Sequence, residues 1–148
     1  MTFRILAIAG VALLAACGGN EPRSAEPANG NEVTFELAGT RWALMALGDK
    51  VVTVSEGGRE AYIALNSVEN SVVGHAGCNR ISSTYKLQDA QLSFGEVIAT
   101  RMFCQDMPTE TALLAALKAT AGWRISGSQL ELLDANRQPL ARFEARNL

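Results

Sequence analysis

Gly74-His75-Ala76-Gly77-Cys78-Asn79-Arg80 opens the stretch of sequence that decides the fold, and Thr100-Arg101-Met102-Phe103-Cys104 closes it. Residues 83–87 and 91–94, between the two cysteines, flank a turn at Gln88-Asp89-Ala90 and predict a pair of short strands. The two cysteines therefore bracket a strand-and-turn segment. The rest of the chain is expected to form a scaffold around it.

Period-two segments broken by turn residues continue on both sides of this stretch, which favours antiparallel strands over a helical bundle. The segment at 42–47 is apolar at nearly every position, so we expect it to be buried on both faces. Gly127-Ser128 is a two-residue turn typical of a tight hairpin. The predicted strands cover residues 42–47, 62–66, 71–74, 83–87, 91–94, 96–100, 123–126, 129–133 and 140–144.

One helix is predicted between the second cysteine and this hairpin. Asp106-Met107-Pro108 is a start signal, because an aspartate can accept a hydrogen bond from a free backbone amide and proline fits the first turn. Gly122 is the expected stop. The apolar stripe that should face the sheet comprises Leu113, Leu114, Leu117 and Thr120.

Three motifs together resemble the META domain, the HslJ-type family of bacterial envelope proteins. They are Gly-Cys-Asn-Arg at 77–80, Thr-Arg-Met-Phe-Cys at 100–104 and Leu-Glu-Leu-Leu-Asp at 130–134, and the resemblance extends over about residues 37–143. It implies a small antiparallel, partly open β-barrel with one helix before a C-terminal hairpin. No reaction is established for that family, so the resemblance implies no catalytic residue and no cofactor.

Residues 1–16 form a secretory signal pattern, with Arg4 followed by an apolar run that is too short to span a bilayer. Leu14-Ala15-Ala16-Cys17 predicts a lipobox, in which the Cys17 thiol receives a diacylglycerol that anchors the protein stably. The alternative is an ordinary cleaved signal with an incidental cysteine. Gly18, in place of the aspartate that retains lipoproteins at the inner membrane, favours the outer membrane with the domain facing the periplasm.

Residues 17–32, rich in Gly, Pro, Ala, Asn and Glu, predict a flexible tether, and residues 33–148 predict one domain. The chain of 148 residues has a formal charge of −2, to which the signal contributes Arg4 and no acid. This mild acidity gives no reason to expect binding to nucleic acid.

Cys78 and Cys104 are expected to form a disulfide, because the compartment is oxidising and Cys17 carries lipid. Two free buried thiols are one alternative. His75 could complete a three-ligand zinc site with two reduced cysteines, or activate one of them as a nucleophile. Both of these need a free thiolate, and the spacing identifies no orienting group or oxyanion donor, so no metal site and no catalytic residue is predicted.

Asn79, Arg80, Thr100 and Arg101 are polar residues beside the cysteines. In a structural interpretation Asn79 turns the backbone and an arginine pairs with a carboxylate. In a functional one, the four residues form an interaction patch for an envelope protein partner that the sequence does not identify. The sequence thus predicts a non-enzymatic interaction or assembly module, with a carrier that holds an acyl chain inside the barrel as the alternative.

Overall fold

The computed structural model describes residues 34–54, 56–104 and 107–146. The predicted signal peptide, the lipidated Cys17, the tether and the Asp106 cap lie outside these residues. In the part of the chain that is described, no helix has the length and apolar character needed to cross a membrane.

The described residues contain ten strands and one helix, in the predicted order. The helix precedes the last three strands. The elements are β1 Arg41–Leu47, β2 Lys50–Val51, β3 Tyr62–Asn66, β4 Ser71–His75, β5 Arg80–Gln88, β6 Gln91–Phe94, β7 Ile98–Ala99, α1 Met107–Ala119, β8 Gly122–Ser126, β9 Gln129–Leu133 and β10 Pro139–Arg146.

The sheet is antiparallel and its hydrogen bonds run in a ring. The order is β10-β9-β8-β6-β5-β4-β3-β1, and β1 returns to pair with β10, while β2 and β7 lie off the ring on β1 and β5. One residue pair, Gln91 with Gly122, joins β6 to β8. The predicted small antiparallel fold with one helix before the C-terminal strands is confirmed, but this narrow joint makes the ring an irregular barrel.

Large apolar side chains fill the interior of the ring. Trp42 and Ile63 are fully buried, and the Trp42 indole nitrogen donates a hydrogen bond to the Leu37 carbonyl at 3.0 Å. The helix covers the core with the predicted stripe, since Leu113 and Leu117 are 0% and 1% exposed. The same core cluster contains Leu92, Leu130, Leu132 and Phe143.

Three local predictions were wrong. Met45 is 39% exposed, because the pairing of β1 with β10 skips it between Leu44 and Ala46, and this bulge turns the side chain out of the core. The strand expected at 96–100 is only Ile98–Ala99. Gly122 does not stop the helix but begins β8, where a Cβ atom would lie 3.2 Å from the Ala90 carbonyl oxygen.

Candidate functional site

Asn79 is the centre of the polar structure beside the cysteines. Its side chain is 1% exposed and makes four hydrogen bonds. Oδ1 accepts from the Thr100 hydroxyl at 2.8 Å and from the Met102 amide at 2.7 Å, and Nδ2 donates to the Met102 carbonyl at 3.0 Å. Asn79 therefore holds the segment before the helix against the turn between β4 and β5.

Glu110 is the buried carboxylate that completes this network. It lies in the first turn of α1 and is 5% exposed. Oε2 accepts a hydrogen bond from the backbone amide of Asn79 at 2.8 Å, and Oε1 accepts one from the side-chain nitrogen Nδ2 of Asn79 at 3.0 Å. A buried carboxylate needs such donors, so Glu110 and Asn79 fix the start of the helix to the β4–β5 turn.

The same turn carries the disulfide. Cys78 and Cys104 are bonded to each other, with their Cα atoms 5.9 Å apart, so the predicted pairing is confirmed. Gly77 lies in the turn with a φ of 93°, a conformation that favours glycine. Because the bond uses both sulfur atoms, neither cysteine is free to bind zinc or to act as a thiolate nucleophile.

The predicted interaction patch divides between the interior and the surface. Asn79 is buried beneath it, whereas Arg80, Thr100 and Arg101 are exposed. The Arg80 amide donates to the Thr100 hydroxyl at 3.2 Å, and the Thr100 amide donates to the Arg80 carbonyl at 3.1 Å. The structure thus brings the four residues together, with Asn79 in a supporting position.

Sequence reasoning missed the apolar side chains on this surface. Ile98, Met102 and Phe103 are 66%, 68% and 94% exposed. The available signal was that Met102-Phe103 is an apolar pair outside any period-two segment and directly before a cysteine. We define the candidate face as these three side chains together with Arg80, Thr100 and Arg101.

A groove of about 730 Å³ adjoins the candidate face on the outside of the sheet. Gly74 lies in it, and a Cβ atom at this position would clash with the Tyr62 carbonyl oxygen, so only glycine allows β3 and β4 to approach this closely. The charged, aromatic and imidazole side chains that line the groove are Arg41, Arg59, Glu60, Tyr62, His75 and Arg80.

His75 lies at the boundary between this groove and a smaller cavity beside Cys78 and Met102. The side chain is 8% exposed. Burial, followed by the positive charges of Arg59 and Arg80, lowers the pKa of His75 from its ordinary value of 6.5, and Glu110 opposes the shift. The neutral imidazole is therefore the favoured form at neutral pH.

The META domain family model matches residues 35–147 of the chain. An NMR structure of a protein from Burkholderia xenovorans is similar to it at 29% identity and a TM-score of 0.60, over 76% of this chain and 85% of that one. A second protein solved by NMR is 25% identical with a TM-score of 0.58, over 73% of this chain and 90% of that one. No curated protein matches the chain significantly.

Proposed function

The chain belongs to the META domain family, and from that premise we propose that it is a non-enzymatic interaction module of the bacterial cell envelope. In this proposal a lipid on Cys17 anchors the protein to the outer membrane, and residues 17–32 connect the anchor to the domain. The folded body then faces the periplasm, where it binds another envelope protein and assists its assembly or its response to stress.

The candidate face is the observation that carries the proposal. It presents Met102 and Phe103 to solvent next to two exposed arginines, Arg80 and Arg101. Aromatic, methionine and arginine side chains are enriched at protein interfaces, and arginine and aromatic residues dominate their binding energy. A single exposed apolar residue needs no explanation, but three of them beside two arginines form a surface suited to a protein partner.

The face is also held in a fixed position, which favours binding. The disulfide and the Asn79 side chain both tie the backbone of residues 100–104 to the sheet. A pre-ordered surface loses less conformational entropy when it binds a partner than a flexible loop does. This explains why the buried Asn79 belongs to the same functional unit as the exposed side chains.

The carrier alternative has less support. It requires space for an acyl chain inside the ring, and the described core side chains, including Trp42, Ile63 and Phe143, occupy that interior. An acyl chain would have to displace several of these core side chains, which a close-packed core resists.

Site-specific photocrosslinking in the native host tests the interaction. A photoreactive amino acid at Phe103 or Met102 is expected to form an adduct with a defined protein. Val68 is the matched control, because it is also apolar and 90% exposed but lies in the β3–β4 turn. The same adduct from Val68, or no adduct from Phe103, would contradict the proposed face.

The anchor is tested separately. Cys17→Ser removes the thiol that would receive the lipid, so the variant is expected in the soluble envelope fraction while the unaltered protein sediments with outer membranes. Cys78→Ser/Cys104→Ser is the control, because it removes cysteines without touching the lipobox. A Cys17→Ser variant that still sediments with membranes would refute the anchor.

A further inference from the structure

Two buried nitrogens at the groove have no hydrogen-bond partner. Within the described residues, the buried side-chain nitrogen and oxygen atoms without a partner are Arg41 Nε and His75 Nδ1, and both residues line the groove. Buried polar atoms in folded proteins are nearly always paired, because an unpaired one is destabilising. Both atoms border the same groove, which is therefore where the described protein leaves buried polar nitrogens without a protein partner.

The groove also carries an excess of positive charge, since its lining includes Arg41, Arg59 and Arg80 but a single carboxylate, Glu60. Of the groove arginines, Arg41 is the one with a compensated charge among the described residues. Its Nη2 lies 3.3 Å from Glu60 Oε2, and its guanidinium carbon lies 4.0 Å from the centre of the Tyr62 ring. Among the described residues no carboxylate lies within ion-pair distance of Arg59 or Arg80. Two guanidinium groups thus border the groove without a counterion among the described residues.

Apolar and aromatic side chains form part of the remaining wall. Val73 and Ile98 are 54% and 66% exposed at the groove, and the Tyr62 ring adds an aromatic surface. Glu60 also lies in the wall and would repel a doubly charged anion such as phosphate. This combination suits a singly charged group attached to an apolar one.

We infer that the groove binds an organic carboxylate that carries an apolar group, with the carboxylate held by Arg59 and Arg80 while the apolar group packs on Val73 and Ile98. Arginine is well suited to this role, since its planar guanidinium donates two parallel hydrogen bonds to a carboxylate. The groove adjoins the candidate face through Arg80 and Thr100, so the inference rests on the proposed function. It names the chemistry of the partner segment that this face would receive.

An NMR titration of the purified, isotope-labelled protein tests the inference. The probes are isovalerate, the neutral isovaleramide, inorganic phosphate, and the peptide N-acetyl-Leu-Glu-Leu-amide with its Gln counterpart. We expect the two carboxylate probes to shift the amides of Gly74, His75 and Arg80, and isovaleramide and the Gln peptide to bind at least about tenfold more weakly.

Variants of two cations on the same strand sharpen the test. Arg80→Gln is expected to weaken carboxylate binding at least about tenfold, because it removes a charged hydrogen-bond donor. Lys86→Gln is the control, since it removes one positive charge from β5 at an exposed position outside the groove. Its dissociation constant should stay within about twofold of the unaltered protein, as expected for a distant screened charge.

Each outcome has one meaning. Tighter binding of the Glu peptide than of isovalerate identifies a partner segment as the source of the carboxylate, and equal binding identifies a free acid. The inference is overturned by equal binding of the neutral probes, by tighter binding of phosphate, by an unaffected Arg80→Gln variant, or by no shifts at millimolar concentrations. A failed titration with an intact Phe103 adduct would overturn this inference alone.

Discussion

At the scale of single residues, Asn79 is buried and makes four side-chain hydrogen bonds. Asn79→Ala would remove four side-chain hydrogen bonds and leave the buried Glu110 carboxylate with the backbone amide of residue 79 as its donor from this turn. We expect a loss of about 3 kcal/mol in the free energy of unfolding, since bonds to a buried charge are worth more than neutral ones.

Chemical denaturation measures this loss, and Asn66→Ala is the matched control. Asn66 also accepts two backbone hydrogen bonds, from Val68 at 2.9 Å and Glu69 at 3.4 Å, but in an exposed turn. Its removal should cost less than about 1 kcal/mol. Equal losses from the two variants would mean that the buried network contributes no special stability.

The sequence indicated Asn79 but could not identify its partner. A turn asparagine next to a cysteine is recognisable from local chemistry alone. Glu110, by contrast, lies 31 residues away, and only the helix places it against Asn79. Its position three residues before Leu113 on the buried stripe was a usable signal, because an acid in an apolar stripe must find donors.

At the scale of elements, α1 covers the core, and Leu117 in its last turn is one of the side chains buried against the sheet. Leu117→Asp would place an uncompensated charge at a position that is 1% exposed. We expect a loss of several kcal/mol, enough to abolish cooperative thermal unfolding of a domain this small. Circular dichroism melting curves measure the effect.

Ala112→Asp provides the control on the same helix. Ala112 is exposed and lies nearer the N-terminus of α1, where a negative charge is tolerated. Its melting temperature should change little. If Leu117→Asp melted at the same temperature as Ala112→Asp, the helix would not pack on the sheet as described.

Hairpins were the most predictable elements, because both strands and the turn are adjacent in sequence. β8 and β9 match the predicted ranges closely, and Gly127 adopts a φ of 57° as a tight turn requires. The ends of elements were less predictable. Gly122 resembled a helix stop locally, but it is needed instead where β8 passes close to Ala90.

At the scale of the whole molecule, closure of the ring was the least predictable feature from residue patterns. β1 pairs with β10 over Arg41–Leu47 and Arg142 even reaches the Gly48 carbonyl, 94 residues away in sequence. No local periodicity encodes which distant strands pair. The family resemblance implied a partly open barrel but not which strands close it, and the residues alone predicted only antiparallel strands and one helix.

The disulfide acts at this scale, because it links the β4–β5 turn to the segment before the helix across 26 residues. Cys78→Ala/Cys104→Ala should lower the free energy of unfolding by about 3–4 kcal/mol through the entropy of the unfolded chain. The fold should survive, since the ring of strands and the Asn79 bonds to Met102 hold the same segments without the bond.

Urea denaturation checks both parts of this expectation. The midpoint should fall while the cooperative transition remains, and the unaltered protein in the presence of a reductant should behave like the double variant. The triple variant with Asn79→Ala should lose more free energy of unfolding in total than the sum of the losses from the double variant and from Asn79→Ala alone. The reason is that the disulfide and Asn79 hold the same segment, and each supports it when the other is absent. Strictly additive losses would mean that the two connections act independently, and the rigid support inferred for the candidate face would then rest on the disulfide and Asn79 separately.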